Sequence, residues 1–124
     1  MLTLNVEHFG DVAVIECKGR ILQPDAAFRL RKAVIAEAES RIIILHLSEV
    51  EAVEGRGRGM LAYLQLWAIA HDVRLKLFNP SHTVRERIEH ASLYPCQIAT
   101  LDEITALLML AAPRDLWVPA KTSM

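Results

Sequence analysis

Val53-Glu54-Gly55-Arg56-Gly57-Arg58-Gly59-Met60-Leu61 gathers three of the chain's five glycines into nine residues. An apolar block, Arg41-Ile42-Ile43-Ile44-Leu45-His46-Leu47, precedes it, and a helix-patterned run reaching His71 follows it. Continuous β-branched residues mark a strand covered on both faces. A strand, a glycine-rich turn and a helix in that order are the unit of an open α/β protein. Function often gathers at such a turn, because the first N–H groups of the helix lack intrahelical partners.

Working outward, Leu2, Leu4 and Val6 alternate with Thr3, Asn5 and Glu7, the period of a half-buried strand. Gly10-Asp11 is a turn, and residues 12–17 return as a second strand, giving an antiparallel hairpin that Gly19-Arg20 closes. Pro24-Asp25 opens a helix, since proline fits the first turn and aspartate the positive end. Ala27, Leu30, Val34 and Ala38 then recur at helical spacing. Residues 42–47 form the third strand, and the crossover implies parallel pairing. The next helix is expected over 60–70, with Leu61, Leu64 and Ala68 on its inner face. A fourth strand follows over 73–78, broken by Asn79-Pro80. Ser81 is placed to cap a helix carrying Val84, Ile88 and Ala91. Residues 97–99 form a short strand, and Thr100-Leu101-Asp102-Glu103 is a capping box whose helix is expected to end at Pro113.

The predicted fold class is α/β: a single domain over 1–112 with a mixed sheet of about five strands and about four helices, in the order β-β-α-β-α-β-α-β-α. Residues 113–124 read as a tail, whose Leu116, Trp117 and Val118 need a surface to pack on. With 52 % hydrophobic and 23 % charged residues the chain belongs with folded globular proteins. A net charge of −1 supplies no basic field for nucleic acid. The N-terminus lacks the basic and apolar regions of a signal peptide, and no apolar run approaches the ~20 residues of a membrane helix. Cys17 and Cys96 have no metal-like spacing and are expected as buried free thiols in a reducing, cytoplasmic setting.

Several segments together resemble a STAS domain, the module of bacterial anti-sigma factor antagonists. They are Gly10-Asp11-Val12-Ala13-Val14-Ile15, Gly19-Arg20-Ile21, Leu47-Ser48-Glu49-Val50 before a glycine-bearing turn, Phe78-Asn79-Pro80 and Val84-Arg85-Glu86. The resemblance covers roughly residues 3 to 111 and implies a non-enzymatic protein–protein interaction module in transcription or stress signalling. Its implied partner is an anti-sigma factor or a related signalling protein. A homodimer stays open, and neither nucleic acid nor a membrane is expected as a partner.

In that family the turn after the third strand typically reads Asp-Ser-Ser-Gly-Leu-Gly, and the partner kinase phosphorylates the second serine. Here Glu54 takes the aspartate's place, Gly55 that of the first serine, and Arg56 that of the phosphorylated serine. Gly57 and Gly59 match the family's glycines, while Arg58 replaces the leucine between them. His46 stands where the family often has an aspartate. Arginine offers no hydroxyl to phosphorylate and reverses the sign a phosphoserine brings.

Positive side chains in a first helical turn oppose the helix dipole. Either the turn is a plain strand-to-helix connection whose arginines merely reach solvent, or one of two compensations applies: pairing of Arg56 and Arg58 with Glu49, Glu51 or Glu54, or capture of a phosphate, nucleotide or partner carboxylate by the arginines and the helix N–H groups. The turn lacks the Lys-Ser/Thr of a nucleotide P-loop and the spacing of a dinucleotide fingerprint. His8, His46, His71, His82 and His90 show no metal spacing, and no serine sits in a nucleophile-elbow context. No catalytic residue, metal or cofactor is therefore expected, and Ser48 reads as a turn residue. Tyr63 and Trp67, on the helix after the turn, are read either as core or as anchors for a partner.

Overall fold

The computed structural model describes residues 2–91 and 98–116. The expected order of elements is the observed one: β1 (Leu2–Phe9), β2 (Val12–Ile21), α1 (Pro24–Ile35), β3 (Ile42–Val53), α2 (Arg56–Ala70), β4 (Arg74–Phe78), α3 (His82–Ala91), β5 (Ile98–Ala99) and α4 (Leu101–Leu116). β1 and β2 pair antiparallel from Phe9–Val12 to Leu2–Gly19, around a turn in which Gly10 has φ 61°. The remaining neighbours are parallel, and the five strands lie in the order β1-β2-β3-β4-β5.

That sequential order decides where the helices go. Right-handed crossovers that advance in one direction deliver their helices to one face of the sheet. Leu30 and Val34 of α1, Leu61, Leu64 and Ala68 of α2, and Val84 and Ile88 of α3 accordingly share one core cluster with Ile15, Ile43, Leu45, Leu47 and Leu77 of the strands. The opposite face receives α4, whose Ile104 packs in a smaller cluster with Val12, Ile44 and Ala99. Among the described residues, α4 packs on the end of the sheet where β1 ends and β2 and β3 begin.

Local signals behave as their chemistry dictates. Pro24 lies in the first turn of α1 with Asp25 beside it, and Lys32 occupies the last turn. The Val84 N–H donates to Ser81 Oγ at 3.3 Å, the expected cap of α3. Thr100 N–H donates to Glu103 Oε1 and Glu103 N–H to Thr100 Oγ1, each at 3.1 Å, closing the capping box of α4.

Five boundaries differ from the sequence reading. β2 is not closed by Gly19-Arg20 but runs through them to Ile21, and α1 ends at Ile35, short of Ala38. β3 does not end at Leu47 but continues to Val53, with Val50 and Val53 2 % and 0 % exposed. Polar Ser48, Glu49 and Glu51 fall on its open face, so the segment looks loop-like in sequence while it stays paired to β2. α2 starts at Arg56 rather than Met60, because Gly57 and Gly59 of the turn adopt helical backbone geometry. α4 runs past Pro113 to Leu116; in a last turn proline removes one backbone donor without stopping the helix at once. Trp117 and Val118 of the expected tail, together with Cys96 and Gln97, lie outside the described residues.

Candidate functional site

The turn at the head of α2 is built from the end of β3 and anchored on the end of β2. The Glu54 N–H donates to the Ile21 carbonyl at 3.3 Å, and the Gly57 N–H returns to the Glu54 carbonyl at 2.9 Å. Gly55, at the N-cap, has φ 55° and ψ −121°, a backbone state that side chains avoid. Gly57 answers a different constraint: a Cβ there would lie 1.8 Å from the Ile21 carbonyl oxygen. Gly59 meets neither constraint, since a Cβ on it would touch nothing within 4 Å.

The charges of this turn do not cancel one another. No side chain caps α2, and no acidic residue stands in its first turn. The pairing of Arg56 and Arg58 with nearby glutamates, one of the two compensations open from sequence, is not found. Glu49 pairs with Lys18 at 3.4 Å, Glu51 with Arg20 at 3.2 Å and Glu54 with Arg87 at 3.7 Å. The parallel register sets Lys18 opposite Glu49, and α3 supplies Arg87. Among the described residues, no hydrogen bond or ion pair engages the side chain of exposed Arg56 or half-buried Arg58.

Beside the arginines lies a shallow groove of about 660 Å³ between α1 and α2, lined by Asp25, Phe28, Arg56, Gly59, Met60 and Tyr63 among others. Phe28 is 56 % and Tyr63 42 % exposed, and the Arg31 guanidinium lies 5.5 Å from the centre of the Tyr63 ring. Trp67, the other anchor candidate on α2, is 8 % exposed and belongs to the core. It stacks on His71 at 4.8 Å, while His71 Nδ1 and the Trp67 carbonyl oxygen are 2.8 Å apart. Trp67 thus faces the sheet and not solvent; the apolar surface of α2 is carried by Tyr63, Leu66 and Ile69.

No protein-family model and no curated protein sequence matches the chain. Solved structures do. The anti-sigma factor antagonist SpoIIAA in its unphosphorylated form is similar with a TM-score of 0.67 and 21 % identity, over 88 % of this chain and 96 % of that one. An anti-sigma factor antagonist from Mycobacterium paratuberculosis gives 0.66 and 18 %, over 88 % and 95 % of the two chains. An RsbS variant from Moorella thermoacetica gives 0.69 and 12 %, over 86 % and 95 %. The chain has the STAS fold.

On this STAS fold the remaining sequence candidates scatter. Burial pushes the Cys17 thiol up to about 12, so it stays protonated and inert at neutral pH. Among the described residues, no group of His, Cys, Asp and Glu has metal-binding geometry, and no helix is long and apolar enough to cross a membrane. His8 bonds Glu37 at 2.6 Å, and His82 lies 3.6 Å from Glu86. His46 is the exception to this dispersal. It lies on the open face of β3, with Nε2 3.0 Å from Ser48 Oγ and Nδ1 3.9 Å from Glu16 Oε2. Ser48, read as a turn residue from sequence, is a strand residue. His46-x-Ser48 at strand spacing was the sequence signal for this pair; Glu16 could be added only once the register was known.

Proposed function

We propose that this chain is a non-enzymatic interaction module of the anti-sigma factor antagonist type, acting in bacterial transcription or stress signalling in the cytoplasm. Its docking surface is the 54–59 turn together with the α1–α2 groove, and its partner is an anti-sigma factor or a related signalling protein. The observation that carries this reading is the pair of arginines that have no side-chain partner among the described residues at the head of α2, next to exposed Phe28 and Tyr63. Two positive charges against the positive end of a helix are costly to keep unless something negative is bound there. A partner surface with a carboxylate beside an apolar side chain suits both halves of the site.

Arg56 occupies the position at which the STAS resemblance expects the phosphorylated serine, so the module works without the serine switch. The similar SpoIIAA structure is named for its unphosphorylated form, a distinction this chain cannot make at residue 56. Incubation with a cognate kinase followed by mass spectrometry tests this point. Stoichiometric phosphate within residues 46–60 would overturn it. A pull-down comparing wild type with Arg56→Ser tests the docking site, and equal partner recovery at matched salt removes Arg56 from it.

The same arginines support a second reading, an anion-binding domain for phosphate or a nucleotide. Titration with phosphate, sulphate and nucleotides should raise the melting temperature if it holds; an unchanged melting temperature at millimolar ligand rejects it.

A further inference from the structure

The open face of the sheet carries an arrangement unrelated to the docking turn. The geometry points to Ser48 as a nucleophile activated by His46 and Glu16, a covalent modification site that takes the acyl group of small activated esters.

The assembly follows from strand geometry. His46 and Ser48 are two apart on β3 and so share a face, and Glu16 of β2 is the parallel register partner of His46. Between Glu16 and Lys18 the pairing slips, because Lys18 opposes Glu49. Two steps along β2 thus match three along β3, which defines a bulge. Its effect is visible in the exposure of β3: Leu47 is buried, Ser48 and Glu49 are both exposed, and Val50 is buried again. Bulges re-aim side chains in this way beside reactive sites.

The imidazole is held on three sides. Glu16 lies at its Nδ1 edge and Ser48 at its Nε2 edge. Phe78, its partner on β4, packs against the ring with centroids 5.2 Å apart. A carboxylate beside Nδ1 favours the tautomer with the proton on that nitrogen, which leaves Nε2 free to accept the Ser48 hydroxyl proton. The order hydroxyl, imidazole, carboxylate is that of an activated serine, recognised by geometry and roles rather than by sequence position. The 3.9 Å separation on the carboxylate side is an ion-pair distance, and such contacts are often long before a ligand is present.

Among the described residues α4 leaves this part of the sheet open, and a hollow of about 240 Å³ stands over it, lined by Thr3, Asn5, Lys18 and Glu49 as well as by His46 and Ser48. The hollow suits a small acyl group. Cys17, although adjacent, is buried and protonated and does not compete.

In the step proposed, Ser48 Oγ forms a bond to the carbonyl carbon of the ester while its proton passes to His46 Nε2. The carbon–oxygen bond to the leaving group breaks, and the alcohol departs with the proton from His46. The products are an acyl-serine and a free alcohol, with the imidazole returned to its starting state.

The experiment treats the full chain with p-nitrophenyl acetate, follows nitrophenolate release and maps the acetyl group by mass spectrometry. The expected result is one acetyl on Ser48 and none on Ser81, an exposed serine without an imidazole contact among the described residues. Ser48→Ala removes the release phase, and His46→Gln slows it by about a hundredfold, the lower range for a positioned general base. Glu16→Gln gives a smaller loss. An unchanged melting temperature checks that each variant is folded, with His46→Asn as the substitute for His46→Gln. Acetyl found only on Lys18 or His46, or a rate unchanged in His46→Gln, overturns the proposal.

Discussion

Gly57 and the Ile21 carbonyl are in backbone contact: a Cβ on Gly57 would sit 1.8 Å from that oxygen and 2.8 Å from Ile21 Cγ2. The head of α2 is therefore pressed onto the end of β2, and the position of Arg56 is set by this contact. Gly57→Ala must move the helix away from the strand, with an expected loss of about 1–3 kcal/mol, as for other overpacked sites. Gly59→Ala meets open space and removes a helix-interior glycine, so it should gain about 0.5–1 kcal/mol. Urea unfolding of the two variants checks both; a loss in Gly59→Ala equal to that of Gly57→Ala would show that the contact is not what distinguishes them.

Arg56 and Arg58 should trade stability for binding. Replacing either with glutamate puts negative charge at the positive end of α2, with an expected gain of roughly 0.3–1 kcal/mol at low salt. The gain should shrink as ionic strength rises. Under the proposed function the same variants lose the partner. Melting curves across a salt series, run beside the pull-down, separate the two effects. Reduced stability in both charge-reversed variants contradicts the dipole account.

α2 should respond to truncation according to side. Leu64 is fully buried, and Leu64→Ala is expected to cost about 2–5 kcal/mol. Ile69 is 71 % exposed, and Ile69→Ala should stay within about 0.5 kcal/mol of wild type. If Ile69→Ala instead weakens partner recovery with stability unchanged, the docking surface extends along the helix beyond Tyr63.

Cys17 ties stability to alkaline pH. Its thiol rises from 9.0 to about 12 on burial. A group whose folded value is raised gives stability that is fully present below the unfolded value and lost as pH climbs through the folded one. The decline attributable to Cys17 therefore lies between about 9 and 12. Denaturant midpoints measured across that window should fall less steeply in Cys17→Val. Peptide mapping after alkylation should show Cys17 protected in the native chain and modified in urea.

The order of elements was legible because the apolar period changes cleanly along the chain, from two in Leu2-x-Leu4-x-Val6 to helical over 27–38, and because Ser81 and Thr100-x-x-Glu103 announce helix starts. The second half of β3 was not. Ser48, Glu49 and Glu51 look like a loop, and the bulge that keeps Val50 and Val53 inward shifts the alternation out of register. The site was legible in place but not in its pairing. Glu49, Glu51 and Glu54 are near Arg56 in sequence, yet the register and α3 give each of them another cation. Trp67 was ambiguous because α2 is apolar around much of its circumference, and only the position of the sheet selects its inner side.

The consecutive strand order has a last consequence. It sends the end of β3 toward the helical layer and, among the described residues, leaves the middle of the same strand uncovered on the reverse side. A protein seated on Arg56 and Tyr63 and a covalent adduct on Ser48 would therefore occupy opposite sides of one sheet. The two events do not compete for space, and a single copy of the chain has room to carry both at once.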